Sequence, residues 1–288
     1  MAYDDPIRVK LADLPDSVVE DVRRQTGDYV VPIIIDYTPR GTGTLVQIDN
    51  SVGILTAEHV VRHPSNPKLR LAWTGHPERF LRTALGPFAH DISIPTNALQ
   101  IITSARDTDQ YGPDLAFVVL PASPFLGEIK ARKSFYNLSL KIEERKTEAL
   151  KDLGFFALCG FPAVKNFGGS AEFGFTFTQG LYGYSMLTGS ENYEIKGKWD
   201  YFEIGVSQQS ANEFERTFGG VSGGAVWRCL LKREAKAPIG SEYLDHLTFA
   251  GVAFYEMDDQ SQPRFYIRAH GPKSVYENLI SLVRKELS

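Results

Sequence analysis

Thr217-Phe218-Gly219-Gly220-Val221-Ser222-Gly223-Gly224-Ala225-Val226 sets a serine among small residues where a backbone can turn sharply, with an apolar, strand-like run behind it. A serine hydroxyl is a weak nucleophile by itself. It needs a histidine to take its proton, a carboxylate to orient that histidine, and backbone N–H groups to receive an oxyanion. Those three parts are what the remaining sequence has to supply.

Upstream, Ile54-Leu55-Thr56-Ala57-Glu58-His59 delivers a histidine just past an apolar strand, at an edge of a sheet rather than in its centre. Farther along, Gly112-Pro113-Asp114-Leu115-Ala116-Phe117-Val118-Val119-Leu120 puts an acid at the mouth of an almost wholly apolar strand. Such an aspartate is buried only if a donor satisfies it, and a histidine is a natural donor.

With 288 residues the chain can bury a large core, as one domain or as two packed halves. Recurring β-branched and aromatic runs between turn residues place it in the mostly-β class. A net charge of -4 gives no broad reason to expect nucleic acid. No apolar segment is long enough to cross a bilayer, so no membrane partner is expected. The N-terminus lacks the basic cluster and apolar core of a secretory signal. Cysteine is limited to Cys159 and Cys229, both in apolar runs that suit buried, reduced thiols. Together these features point to the cytoplasm.

Taken in order, residues 1–30 read as a polar, peripheral extension, with Asp16-Ser17 capping a short helix. Strands are expected at Val31 to Tyr37, Gly43 to Ile48 and Gly53 to Ala57, with a flexible Pro39-Arg40-Gly41 and a hairpin turn at Asp49-Asn50-Ser51. Others follow at Lys68 to Trp73 and Ala98 to Thr103. Residues 126–150 form a charged, solvated connection. Beyond it, strands are expected in the run Leu153 to Pro162 and at Phe173 to Gln179, Trp199 to Val206, Ala225 to Leu230, Thr248 to Phe254 and Phe265 to Ala269. Pro272 opens a C-terminal helix over 271–288, with Val275, Leu279, Ile280, Leu282 and Val283 on its apolar face.

The three segments around His59, Asp114 and Ser222 occur in the order His, Asp, Ser, and together they resemble the trypsin/chymotrypsin-like serine peptidases. That resemblance implies two orthogonal six-stranded antiparallel β-barrels, one over 31–125 carrying His59 and Asp114 and one over 151–270 carrying Ser222. It implies a serine endopeptidase without a cofactor: Ser222 attacks a peptide carbonyl of a protein substrate, His59 moves the proton, and Asp114 holds the imidazole. The N–H groups of Gly220 and Ser222 would form the oxyanion hole. Gly251-Val252-Ala253-Phe254-Tyr255 would flank the substrate.

Departures from the family carry information. Secreted trypsins have Asp where this chain has Val221, and that Asp pairs with an N-terminus freed by cleavage. Valine cannot form the pair, a situation similar to bacterial HtrA-type peptidases, although no PDZ-sized extension follows here. Arg216 stands where trypsin has its acidic pocket residue, and Glu256 and Arg264 fall near positions that line the cleft. With Phe254 and Tyr255 these are the candidate substrate-binding residues. They suit an acidic or polar side chain if Arg216 faces the substrate, and solvent or a pair with Glu213 or Glu215 if it does not.

Other readings stay beside this one. His59 and His63 have the spacing of a metal pair, but Pro64 follows at once and no third ligand is evident, so no metal is expected. His76, His90, His246 and His270 read as surface or locally hydrogen-bonded residues, and Trp227 as core. A cytoplasmic peptidase suggests a narrow substrate or an activating protein partner. A catalytically silent, protease-like binding module is the alternative from another class.

Overall fold

Strand β1 (Val30–Ile35), Val-Val-Pro-Ile-Ile-Ile, is a continuous apolar run of the kind that a strand covered on both faces carries. It is the first strand of the chain in the computed structural model. That structure describes residues 14–35, 38–62, 68–74, 89–95, 99–104, 113–146, 155–161, 180–185, 191–206, 219–234, 237–238, 240–258 and 265–288. β1 pairs antiparallel with β2 (Thr38–Ile48), which returns through Asp49-Asn50 into β3 (Ser51–Thr56). Asp49 takes φ 51°, a left-handed conformation that Asp and Asn tolerate, so the expected hairpin forms. Pro39-Arg40-Gly41 is not a flexible break: it lies within β2, opposite Ile33 and Ile34, where the ladder shifts register.

Around that hairpin the first sheet grows from β4 (Lys68–Thr74), β5 (Ala89–Pro95), β6 (Gln100–Thr103) and β7 (Ala116–Val119), in the order β5-β4-β1-β2-β3-β7-β6. The two-residue β8 (Tyr136–Asn137) adds a parallel pairing to β2. The second sheet uses β9 (Phe155–Gly160), β10 (Gly180–Ser185), β11 (Glu191–Lys196), β12 (Trp199–Val206), β13 (Ala225–Lys232), β14 (Tyr243–Asp258) and β15 (Phe265–His270). Its order is β10-β9-β13-β14-β15-β12-β11, all antiparallel. The expected class, mostly β in two halves, is what the chain adopts. The sheets have eight and seven strands rather than six each, and among the described residues no ladder joins β5 to β6 or β10 to β11. Neither sheet is therefore closed into a barrel by the described residues.

Helices correct the expectation for the polar segments. Helix α1 (Asp16–Gly27) follows Pro15, so Asp16 lies in its first turn rather than capping it. Val18, Val22 and Thr26, four residues apart, form one buried stripe, and the two valines join the main core. The segment is not peripheral. The charged connection likewise contains α3 (Pro124–Lys130), capped by Ser123, and α4 (Leu138–Lys146), and it buries Ile129, Tyr136 and Leu138. One-turn helix α2 (Glu58–Val61) follows β3. The expected strand at Phe173 to Gln179 lies outside the described residues.

One apolar core unites the two sheets. Trp227 is fully buried, with its ring edge-on to Tyr136 (5.1 Å) and Phe249 (5.5 Å) and tilted against Tyr29 (5.4 Å). At the C-terminal end, the Asp200 carboxylate accepts the N–H groups of Lys273 (3.1 Å) and Ser274 (2.5 Å). It thereby satisfies donors that a helix start leaves open. A π-helical turn, Ser274–Leu279, then runs into α5 (Ile280–Leu287), as the apolar spacing predicts for a terminal helix. Because Gly271 N–H also donates to the Asp200 carbonyl (2.9 Å), the end of β15 is fixed where it meets the first sheet.

Candidate active site

The first turn of α2 leaves the His59 N–H without an intrahelical acceptor. Asp114, just ahead of β7, supplies it: Oδ1 accepts the His59 main-chain N–H at 2.8 Å, while Oδ2 lies 2.5 Å from Nδ1. β3 and β7 are neighbours in the ladder, with Thr56 opposite Ala116, so the two residues emerge side by side from the same sheet edge. One carboxylate therefore both fixes the turn and orients its imidazole. Burial raises the Asp114 pKa, but the hydrogen bonds and charge of His59, helped by His270, outweigh it and leave the carboxyl below its ordinary value. Ionised Asp114 only accepts, so the His59 nitrogen facing it, Nδ1, is the one that carries a proton. The His59 side chain is 40% exposed against 13% for Asp114, which leaves the imidazole reachable and the carboxylate screened.

Behind Asp114 stands a residue that sequence reasoning assigned to the surface or to local bonding. His270, at the end of β15, is fully buried, and its Nε2 accepts the Asp114 N–H at 3.0 Å. Its ring packs against Phe254 (4.3 Å between centroids) and Tyr201 (5.0 Å). Burial pushes its pKa down to about 3, so it stays neutral, with its proton on Nδ1. The available signal was its position at the end of an expected strand, directly before Gly271-Pro272.

Ser222 is half-buried on the loop between β12 and β13. Gly223 N–H donates to Ala253 O (2.7 Å), Ala253 N–H to Gly224 O (2.9 Å), and Gly224 N–H to Val221 O (2.8 Å), tying the turn to β14. On the opposite side, Thr42 of β2 donates its N–H to Ser222 O (2.8 Å) and its hydroxyl to Gly220 O (2.8 Å). Gly220 and Gly223 take φ 89° and 88°, the left-handed region that glycine enters freely. A Cβ on Gly223 would collide with Thr42 O and Thr56 Oγ1 and lie 3.1 Å from Ala57 N, so the Ser222 turn sits directly against the segment that carries His59. Ser222 Oγ and His59 make no hydrogen bond with each other in this structure. Val221 is 2% exposed in an apolar cluster with Leu158, Phe202 and Val226.

The remaining expected site residues separate. Phe254 is buried and packs against His270 and Tyr201. Tyr255 and Glu256 are placed by their backbone alone, in β14 opposite Arg268 and Ile267. Arg216 and Arg264, along with His63, lie outside the described residues. Among the described residues no three His, Cys, Asp or Glu side chains gather as a metal site. No helix among them is long and apolar enough to cross a membrane. Cys159 and Cys229 are buried thiols that form no disulfide.

No protein-family model matches the chain, and no curated protein does. Solved structures similar to it include one described by aromatic interactions that drive coupled folding and binding of the intrinsically disordered Sesbania mosaic virus VPg protein. That likeness has 15% identity and a TM-score of 0.45 over 88% of this chain and 90% of the other. A serine protease domain of the Sesbania mosaic virus polyprotein is similar at 13% identity and a TM-score of 0.41, over 88% and 92%. Neuropsin, a serine protease expressed in mouse brain, is similar at 14% identity and a TM-score of 0.42, over 92% and 96%.

Proposed function

We propose that the protein is a serine endopeptidase that acts through an acyl-enzyme. The observation that carries this reading is the double grip of Asp114 on His59, through both the main-chain N–H and Nδ1. It leaves Nε2 basic at the edge where the Ser222 turn docks. Ser222 Oγ would form a bond to the scissile carbonyl carbon while its proton passes to His59 Nε2. The N–H groups of Gly220 and Ser222 would stabilise the oxyanion, a donor being worth about 3 to 4 kcal/mol in such a site. Collapse breaks the C–N bond and returns the proton from His59 to the leaving amine. Water then enters by the same route to release the acid.

Activation by a freed N-terminus does not fit this chain. Val221 is packed among apolar side chains, and the segment near residue 28 is locked in place: Leu45 N–H donates to Tyr29 O (2.7 Å) and Lys133 Nζ to Gly27 O (2.8 Å). The buried thiols are compatible with a cytoplasmic setting. A protein substrate of narrow sequence, or an activating partner, completes the reading.

The test is labelling by a fluorophosphonate. Intact wild type should label and Ser222→Ala should not; failure of wild type to label at any pH between 6 and 9 would reject the enzyme. A second reading, a silent protein-binding module, is favoured by one observation, the missing hydrogen bond between Ser222 and His59. Apo catalytic bonds are often loose and tighten only with substrate, which is why the labelling experiment decides.

A further inference from the structure

We infer that Thr42 is a positioning residue for the oxyanion hole, holding the Ser222 turn from the opposite sheet; this rests on the serine-hydrolase reading of that turn. Thr42 is fully buried, and every hydrogen-bonding group it has is engaged. Its N–H donates to Ser222 O (2.8 Å) and its hydroxyl to Gly220 O (2.8 Å). The same hydroxyl accepts the Phe161 N–H (3.0 Å) at the end of β9, and its carbonyl accepts from Thr56 Oγ1 (2.7 Å), three residues before His59.

The consequence lies in the peptide planes. The Gly220 carbonyl belongs to the plane that joins residues 220 and 221, and the Thr42 hydroxyl fixes it. The next plane, which contains the Ser222 N–H, is held through Val221 O by Gly224 N–H (2.8 Å). The plane after that is fixed by Thr42 N–H through Ser222 O. Three consecutive planes are thus pinned, two of them by one residue of β2, and the Ser222 N–H cannot swing away without breaking those bonds. The Val221 side chain adds only apolar packing, so the directional hold from the opposite sheet comes from Thr42 on the two flanking planes. Close approach makes this feasible: a Cβ at Gly41 would stand 2.8 Å from Ser222 O, so glycine at that position lets the two backbones meet.

Thr42→Val removes the hydroxyl at nearly constant shape, and Thr42→Ser keeps it. Saturation kinetics of fluorophosphonate labelling should show a maximal rate about 10- to 100-fold lower in Thr42→Val, with little change in half-saturating concentration. Thr42→Ser should stay within about threefold of wild type, since it retains the donor. Amide exchange across 219–224 should accelerate in Thr42→Val and not in Thr42→Ser. If Thr42→Val does not fold, Thr42→Ala, which leaves room for a water in the hydroxyl's place, is read by the same two measurements. Wild-type rate and wild-type protection in the hydroxyl-less variant would overturn the inference. An unlabelled wild type would reject the enzyme reading alone, because the exchange comparison still shows whether Thr42 holds the turn.

Discussion

Asp114 donates its main-chain N–H to Nε2 of His270 at 3.0 Å, so the residue that orients His59 from the first sheet is itself gripped from the second. His270 is in turn held by its strand end, where Gly271 is bonded to Asp200 at the foot of the terminal helix. Removing the acceptor should leave a largely buried donor unpaired. His270→Leu is expected to lower unfolding free energy by about 1 to 3 kcal/mol and to slow labelling of Ser222. His270→Gln, which can still accept, should recover most of both. A leucine variant as stable in urea and as reactive as wild type would remove His270 from the site.

The same residue predicts an acid-sensitive fold. Burial pushes His270 down to about 3, the charge of Asp114 opposing and that of Arg268 reinforcing, whereas an unfolded histidine titrates near ~6.5. Between those values the unfolded chain binds a proton that the native one refuses. Stability from this group is therefore complete above the unfolded value and is lost as pH falls, by up to about 1.4 kcal/mol per pH unit. Asp114 acts in the same direction: its native pKa is lowered, so its contribution is present above the ordinary carboxylate range and lost below it. Urea midpoints measured from pH 7 to 5, ahead of carboxylate titration, should fall in wild type and flatten in His270→Gln. Equal slopes in the two proteins would contradict the assignment.

Asp114→Asn separates orientation from folding. The amide oxygen can still accept the His59 N–H, so α2 should keep its place and circular dichroism should be unchanged. An amide turned to donate toward Nδ1 favours the wrong tautomer, and activity in such sites drops by about 10⁴-fold. Labelling at neutral pH should fall by that order. A loss of less than tenfold would mean that Asp114 serves the turn and not the base.

Much of this arrangement was legible in local sequence. Apolar runs such as Phe117-Val118-Val119 mark strands that are covered, and the segments of His59, Asp114 and Ser222 named the candidate site, of which the fold joins Asp114 to His59. What escaped had physical reasons. β11 lies at a sheet edge, with Tyr193 and Ile195 half-exposed among charged residues, so its composition resembles a loop. β14 carries Asp245 and His246 near its start and was expected only from Thr248 onward. The stripe of Val18, Val22 and Thr26 was hidden by the charged residues around it. Thr42 and His270 were invisible for a different reason. Their partners lie 178 and 156 residues away, and no local pattern reports which buried backbone a hydroxyl or an imidazole will meet.

Gly223 provides the sharpest test that the Ser222 turn docks as described. Its φ of 88° is unfavourable for any residue with a Cβ, and such strain costs about 1 to 3 kcal/mol. Gly197 has φ 60° and open space where a Cβ would go, so Gly197→Ala should show that strain and nothing more. At Gly223 the added carbon would also strike Thr42 O and Thr56 Oγ1, neither of which has room to withdraw, since Thr56 Oγ1 is bonded to Thr42 O. Gly223→Ala should therefore be clearly less stable in urea than Gly197→Ala, and it should lose fluorophosphonate labelling because the turn must lift away from Ala57 and His59. Labelling at the wild-type rate in Gly223→Ala would show that the close contact between these backbones is not required for reactivity.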